Sequence, residues 1–279
     1  MFKLINIELY KIFKKWRTYI GFIAITVLIP IIQIAMLVEG ENSINFMTRS
    51  LQQSFVFVGN LLNAYLVSYI ILNALAIHIP FLVALVTGDL LAGEATAGTY
   101  RLLITRPVSR MKLVTSKFFA GIIYTTLLVL WLLVLSLGLG TLIFGVGELI
   151  VLKPTTVIIF ARSDVLWRFL LAYGFAILSM SVVASLAFLF SSLVENAIGP
   201  IITTMAVIIV FLIVSAIEVD FFQIIRPYLF TNYMLSWRLF FDNQLNIGEI
   251  LKSVVVLFGH IIIFYGLAAF IFKRKDILT

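Results

Sequence analysis

Six long apolar runs separated by polar segments organise this chain. They cover residues 19–38, 61–87, 118–145, 169–193, 197–217 and 253–272, and none contains Asp, Glu, Lys or Arg. A bilayer core about 30 Å thick needs roughly 20 apolar residues in a helix, so each run predicts a transmembrane span. The second run extends back toward Phe55, long enough for a span to tilt or protrude. Within it, His78 precedes Ile79-Pro80, where proline predicts a kink. In the fourth run, the small pairs Ala172/Ala176 and Ser181/Ser185 predict close helix packing.

The polar segments carry patterns of their own. In residues 1–18, Phe2, Ile5, Leu9, Ile12, Phe13 and Trp16 recur at helical spacing, with Lys3, Lys11, Lys14 and Lys15 between them. Such a helix lies in the membrane interface, either as an anchor alone or as an elbow that also touches a partner. Residues 218–252 are too polar to span and too aromatic for a free loop. Their Phe221, Phe222, Tyr228, Phe230, Tyr233, Trp237, Phe240 and Phe241 predict short re-entrant helices at the outer interface. Two readings stand for them: an aromatic belt, or a gate over a pathway. Residues 39–60 and 146–168 read as outer loops. The expected fold is therefore an all-α integral membrane protein, one domain over 1–279, with six transmembrane helices.

Composition agrees with the pattern. The chain is 62% hydrophobic and 12% charged, against roughly 25% charged in soluble domains. It has no cysteine, which excludes disulfides and thiolate metal sites. The first apolar run has the length of a span and no Ala-x-Ala exit, so it reads as a helix rather than a cleaved signal. The net charge of +7 belongs to residues flanking spans rather than to a nucleic-acid surface. With both termini inside, the inner segments hold thirteen Lys and Arg and the outer segments seven, which predicts cytoplasmic termini.

Catalytic motifs are missing. No Gly-x-x-x-x-Gly-Lys-Ser/Thr, His-Glu-x-x-His or Gly-x-Ser-x-Gly occurs, so the chain is not expected to be an enzyme or to bind a nucleotide. Polar uncharged residues do enter the runs. Asn63, Asn73, His78, Thr203, Thr204 and His260 are candidates to line a pathway, and equally candidates for interhelical hydrogen bonds. Charge-free spans argue against an ion-coupled carrier, which uses embedded carboxylates.

Residues 88–117 hold the most specific signal. Five of the twenty Lys and Arg residues fall there: Arg101, Arg106, Arg110, Lys112 and Lys117. The order Glu94, then Gly98-Thr99, then Arg101-Leu102-Leu103, then Arg106-Pro107-Val-Ser109-Arg110, then Lys117 resembles the cytoplasmic loop between spans two and three of ATP-binding-cassette type-2 permeases. The basic amphipathic start, six spans and re-entrant stretch resemble that family along the whole chain. The resemblance implies a permease subunit without an ATPase site of its own. A separate ATPase subunit would bind ATP and Mg, and a second permease chain, identical or related, would complete the pathway. It also implies a short coupling helix in this loop, docking on the ATPase through Glu94, Gly98, Thr99, Arg101, Pro107 and Arg110. The residues agree physically: Leu102 and Leu103 form an apolar knob, Arg101 and Arg106 suit carboxylates on a partner, and Pro107 stops a short helix. Ser109 is an expected N-cap for the next one. Glu94 is expected to pair with a loop arginine or to favour the start of the coupling helix.

The expected function is ATP-driven export across the cell membrane, with lipid as a further contact. The alternatives are an ATPase-coupled scaffold that transmits motion without cargo, and an ion-coupled secondary carrier.

Overall fold

The computed structural model describes residues 1–49, 61–98, 108–153 and 156–274. Helix α1 (Phe2–Lys14) is the amphipathic start and turns at Lys15-Trp16 into α2 (Arg17–Thr48). The second span is broken into α3 (Ala64–Leu75) and α4 (Ile79–Thr87), bent by 55°. The break falls at Ala76–His78, just ahead of Pro80, whose ring and missing N–H end a helix there. Helix α5 (Asp89–Thr96) follows directly. After the loop comes α6 (Arg110–Leu133), continued by a π-helical stretch at Val134–Leu139 and by α7 (Gly140–Phe144).

A β-hairpin then pairs β1 (Leu149–Leu152) with β2 (Val157–Phe160), Leu149 facing Phe160 and Leu152 facing Val157. Helices α8 (Arg162–Leu193) and α9 (Gly199–Ala216) follow. The aromatic segment forms α10 (Asp220–Ile225), a 3-10 turn at Arg226–Tyr228, α11 (Phe230–Met234) and a second 3-10 turn at Ser236–Phe241. Helix α12 (Ile247–Arg274) completes the order. Five helices are long and apolar enough to cross a membrane, or six if the bent α3–α4 pair is one span. This is the helix set of a multi-pass membrane protein.

Helix α8 sits at the centre, packed against α4, α5, α6, α9 and α12. Ala172, Ala176, Ser181 and Ser185 are buried on it, so small side chains allow the close approach that the sequence implies. Helix α2 lies at the periphery, where Ile23, Val27, Ile31, Ile34 and Leu37 are exposed. In a bilayer those side chains face acyl chains.

Two expectations need correction. Residues 39–48 do not open as a loop, because α2 continues to Thr48. Residues 146–168 are not a plain loop either: they form the hairpin, and α8 begins at Arg162. Arg168 explains this order. It is buried, its guanidinium Nη1 donates to the carbonyls of Phe240 (2.7 Å) and Asp242 (3.0 Å), and its Nε donates to Asp164 Oδ2 at 2.9 Å. It also lies 4.4 Å from the centre of the Phe160 ring. Lys153 and Asp242 form a further ion pair. One arginine thus ties the hairpin, the start of α8 and the aromatic turns together. The later part of that segment is buried, with Phe230, Trp237 and Phe241 enclosed, whereas Phe221 and Tyr228 stay exposed. The expected third span is present as one helical run over Arg110–Phe144, and it carries a π stretch at Val134–Leu139.

Candidate functional site

Four charged side chains meet where α1, α5 and α6 converge. Lys117 Nζ donates to Glu8 Oε2 and to Glu94 Oε1, both at 2.6 Å. Lys11 Nζ donates to Glu8 Oε1 and to the same Glu94 Oε1, both at 3.0 Å. The result is a closed ring of alternating charge, Glu8–Lys117–Glu94–Lys11, with no net charge. Lys117 is 1% exposed. Removing such a charge from water costs several kcal/mol, and only a fully paired arrangement offsets that. Here each cation has two carboxylate partners and each carboxylate two cations.

The ring follows from local structure. Glu8 and Lys11 are one turn apart on α1, and Glu8 and Ile12 form its buried face. Glu94 lies on the last turns of α5. Lys117 lies two turns into α6, just ahead of the apolar run, and its long stem carries the ammonium back to the polar edge. A second cluster adjoins the first: Asp89, at the start of α5, accepts from Lys15 Nζ at 2.7 Å and lies 3.8 Å from Arg17 Nη1. A Cβ on Gly93 would stand 2.3 Å from Asp89 Oδ1, so only glycine lets that carboxylate rest against the helix.

Helix α5 is held from the other side as well. Ser191 Oγ, on α8, accepts from the amides of Leu91 (3.0 Å) and Ala92 (2.9 Å). Two first-turn N–H groups of α5 thereby gain a partner from outside the helix. Thr96 Oγ1 donates to the carbonyl of Glu195 at 2.7 Å. Gly98 ends the element with φ of 64°, the left-handed conformation that glycine adopts without penalty. On the far side of the loop, Ser109 accepts from the Lys112 amide, the expected N-cap. Arg110 Nη1 reaches the carbonyl of Lys273 at 3.4 Å. The N-terminal helix, both flanks of the loop, the 194–198 turn and the end of α12 therefore share one face of the bundle.

Burial by itself would push the Glu94 carboxyl up, but the Lys117 ammonium, then Lys11, outweigh it and hold the group down at about 2. Burial would likewise lower Lys11, and its bonds to Glu8 and then Glu94 reverse the sign, leaving it raised. Both groups are charged at neutral pH, so the ring is a clasp rather than a proton relay.

The expected coupling residues divide. Glu94 turns inward to lysines Lys11 and Lys117, where the sequence pointed to a loop arginine or a helix start. Gly98 is a helix terminator, and Arg110 begins α6. Thr99, Arg101, Leu102, Leu103, Arg106 and Pro107, with the expected coupling helix, lie outside the described residues.

Each expected pathway residue bonds to backbone. Asn63 caps α3, accepting from the Tyr65 and Leu66 amides and donating to the Glu148 carbonyl at 2.7 Å. Asn73 donates to Tyr69 O on its own helix. His78 sits exposed at the bend with Nδ1 2.9 Å from Ala74 O. Thr203 and Thr204 donate back to Gly199 and Pro200, and His260 Nδ1 lies 2.8 Å from Val256 O. These are hydrogen bonds to helix and loop backbone.

Sequence reasoning passed over Glu8 and Gln33. A lone carboxylate in an otherwise basic amphipathic helix was the available signal for Glu8. Gln33, mid-span in α2 and fully buried, donates to the π-stretch carbonyls of Leu135 (3.2 Å) and Ser136 (3.3 Å).

Over an alignment of 206 residues the sequence is 27% identical to the "Uncharacterized protein YhcI" of Bacillus subtilis (strain 168), covering 69% of this chain and 63% of the relative. The chain thus spans less than two thirds of that relative's length. Residues 18–278 match a family over nearly the whole membrane region, and on that extent the chain belongs to the family described as "Protein of unknown function (DUF2705)".

Proposed function

We propose that this chain is the permease subunit of an ATP-driven exporter in the cell membrane. Six spans form a single transmembrane domain, with α3–α4 as one bent span and both termini in the cytoplasm. The chain performs no covalent chemistry. A separate ATPase subunit binds ATP and Mg, and a second permease chain completes the pathway. The loop between spans two and three receives the ATPase's motion.

The observation that carries this reading is the clasp at the root of that loop. Glu94 and Lys117 open and close the ordered motif in the sequence, and they bond to each other and to α1. A push on the loop is then delivered to α5, α6 and the interfacial helix together, as a near-rigid lever needs. The Glu8–Lys117–Glu94–Lys11 charges are mutually satisfied, which favours this reading over an ion-coupled carrier.

The test is co-expression of the chain with a phosphate-loop ATPase encoded in a neighbouring reading frame. The two are expected to purify together and to hydrolyse ATP with a rate that responds to the permease. Arg101→Glu is expected to break that assembly or its coupling while the chain stays inserted. Cargo movement by the purified chain alone, without any ATPase, would overturn the proposal.

A further inference from the structure

At the end of the bundle opposite the ring, the aromatic turns and the start of α12 enclose an open cleft of about 430 Å³. That volume is in the range of small-molecule sites. Its polar walls include Arg238, Glu249, Lys252, Asn232, Tyr233 and Ser253. Arg238, Glu249 and Lys252 are exposed, and none is held in an ion pair among the described residues. Glu249 and Lys252 stand one turn apart on α12 without pairing. Arg238 lies over the ring of the buried Trp237, its guanidinium 5.7 Å from the indole centre, with its N–H donors open to the cleft. The floor is fixed: Ser253 Oγ donates to Glu249 O at 2.8 Å and lies in hydrogen-bond contact with the Ser236 hydroxyl at 3.1 Å, locking the turn against the helix.

Below the cleft the same helix changes character. Leu251, Val255, Phe258 and Ile262 recur at helical spacing and are all exposed, a stripe that leads away from Lys252 along α12. Two cations and one carboxylate at the head of an apolar stripe match an amphiphile whose head carries an anion and an ammonium.

We propose that this cleft binds a phospholipid with a phosphoethanolamine head. The phosphate lies between Arg238 and Lys252, whose N–H donors make charge-assisted bonds to its oxygens. The ammonium lies against Glu249, and the acyl chains follow Leu251, Val255, Phe258 and Ile262. The site stands independently of the exporter reading, since it needs no ATPase.

The experiment uses the full chain in nanodiscs of mixed phosphatidylethanolamine and phosphatidylglycerol, with co-purifying lipid counted by native mass spectrometry. The native chain is expected to retain phosphatidylethanolamine, and Arg238→Gln/Lys252→Gln to retain about tenfold less, the loss of one charge-assisted bond or more. Arg238→Lys/Lys252→Arg, which keeps both charges, is expected to retain it and so shows that the surface still folds. Glu249→Gln is expected to turn the preference toward phosphatidylglycerol. Equal retention by the native chain and the double glutamine variant overturns the site. An unchanged preference in Glu249→Gln overturns the ammonium contact. Binding of water-soluble glycerophosphoethanolamine as tight as that of the lipid assigns the cleft to a soluble phosphate source and overturns the lipid.

Discussion

Lys117 and Glu94 stand 23 positions apart in sequence and 2.6 Å apart in space. Their bond ties together the two ends of the segment that separates them. Lys117→Met removes two buried bonds at once and leaves Glu8 and Glu94 facing each other without their strongest partner. Breaking a buried pair from one side costs about 3–5 kcal/mol, so the purified variant is expected to lose a large part of its stability. Adding Glu94→Gln to Lys117→Met removes the stranded charge, and the double variant is expected to be more stable than Lys117→Met alone. Thermal unfolding of the variants in one detergent checks both statements. A double variant as damaged as the sum of the two singles would remove the ring from the account.

The same ring sets a pH window. The Glu94 carboxyl is held down at about 2 against an ordinary 4.5, so its contribution to stability is fully present above 4.5 and is lost as pH falls toward about 2. Lys11 is raised above 10.5, so its contribution is fully present below 10.5 and is lost as pH climbs past its raised value. Between those limits Glu94 and Lys11 add no slope. The midpoint of thermal unfolding is expected to stay level across neutral pH and to fall in acid. Glu94→Gln is expected to flatten the acid limb while lowering the plateau. An acid limb identical in native and variant proteins would place its origin elsewhere.

The apolar runs were legible because burial in lipid demands them, but the helices continue past the charges that bound the runs: α2 passes Glu39 to reach Thr48, and α8 begins at Arg162, ahead of Asp164 and Arg168. The bend at His78 was legible for a similar reason, since proline removes a backbone donor. Ser109 was legible as an N-cap from local chemistry alone. The clasp was only half legible. Glu94 and Lys117 stood out by order, but their pairing into a ring needed the return of α1 against α5 and α6, a contact at long sequence separation that no periodicity encodes. The π stretch at Val134–Leu139 was hidden because its residues are as apolar as their neighbours, and only partners on other helices mark it. Asn63, Asn73 and His78 looked alike as polar residues in a span. They differ in the structure because one is a cap, one bonds within its helix and one sits at a break.

Gly93 offers a test in which sequence and structure make different demands. Alanine is the better helix former by roughly 1 kcal/mol, so propensity alone predicts that Gly93→Ala stabilises α5. The new Cβ would lie 2.3 Å from Asp89 Oδ1, which forces that carboxylate away from Lys15 and Arg17. Leaving a buried charged group short of its partners costs about 1–3 kcal/mol or more, so the clash is expected to win and the variant to lose stability. A Cβ on Gly174 of α8 would meet nothing within 4 Å, and Gly174→Ala is the matched control, expected to be neutral or stabilising. A stabilised Gly93→Ala protein would show that Asp89 does not depend on that approach.

The π stretch carries the last prediction. Its carbonyls and hydroxyl take partners on other spans: Gln33 Nε2 donates to Leu135 O and Ser136 O, Ser68 Oγ donates to Ser136 O at 2.9 Å, and the Ser136 hydroxyl meets the Tyr173 hydroxyl at 2.5 Å. Interhelical hydrogen bonds in membranes average about 0.6 kcal/mol each. Gln33→Leu loses two long ones. It also removes a buried amide oxygen, Gln33 Oε1, that has no hydrogen-bond partner among the described residues, and such an orphan costs about 1–3 kcal/mol. The orphan outweighs the two weak bonds, so Gln33→Leu is expected to unfold at the native temperature or above it. Ser68→Ala loses one shorter bond and relieves no orphan, and it is expected to unfold lower. If Gln33→Leu proves the more damaging of the two in the same melting assay, the amide holds the third span more tightly than its bond lengths imply and this ranking of the two contacts is wrong.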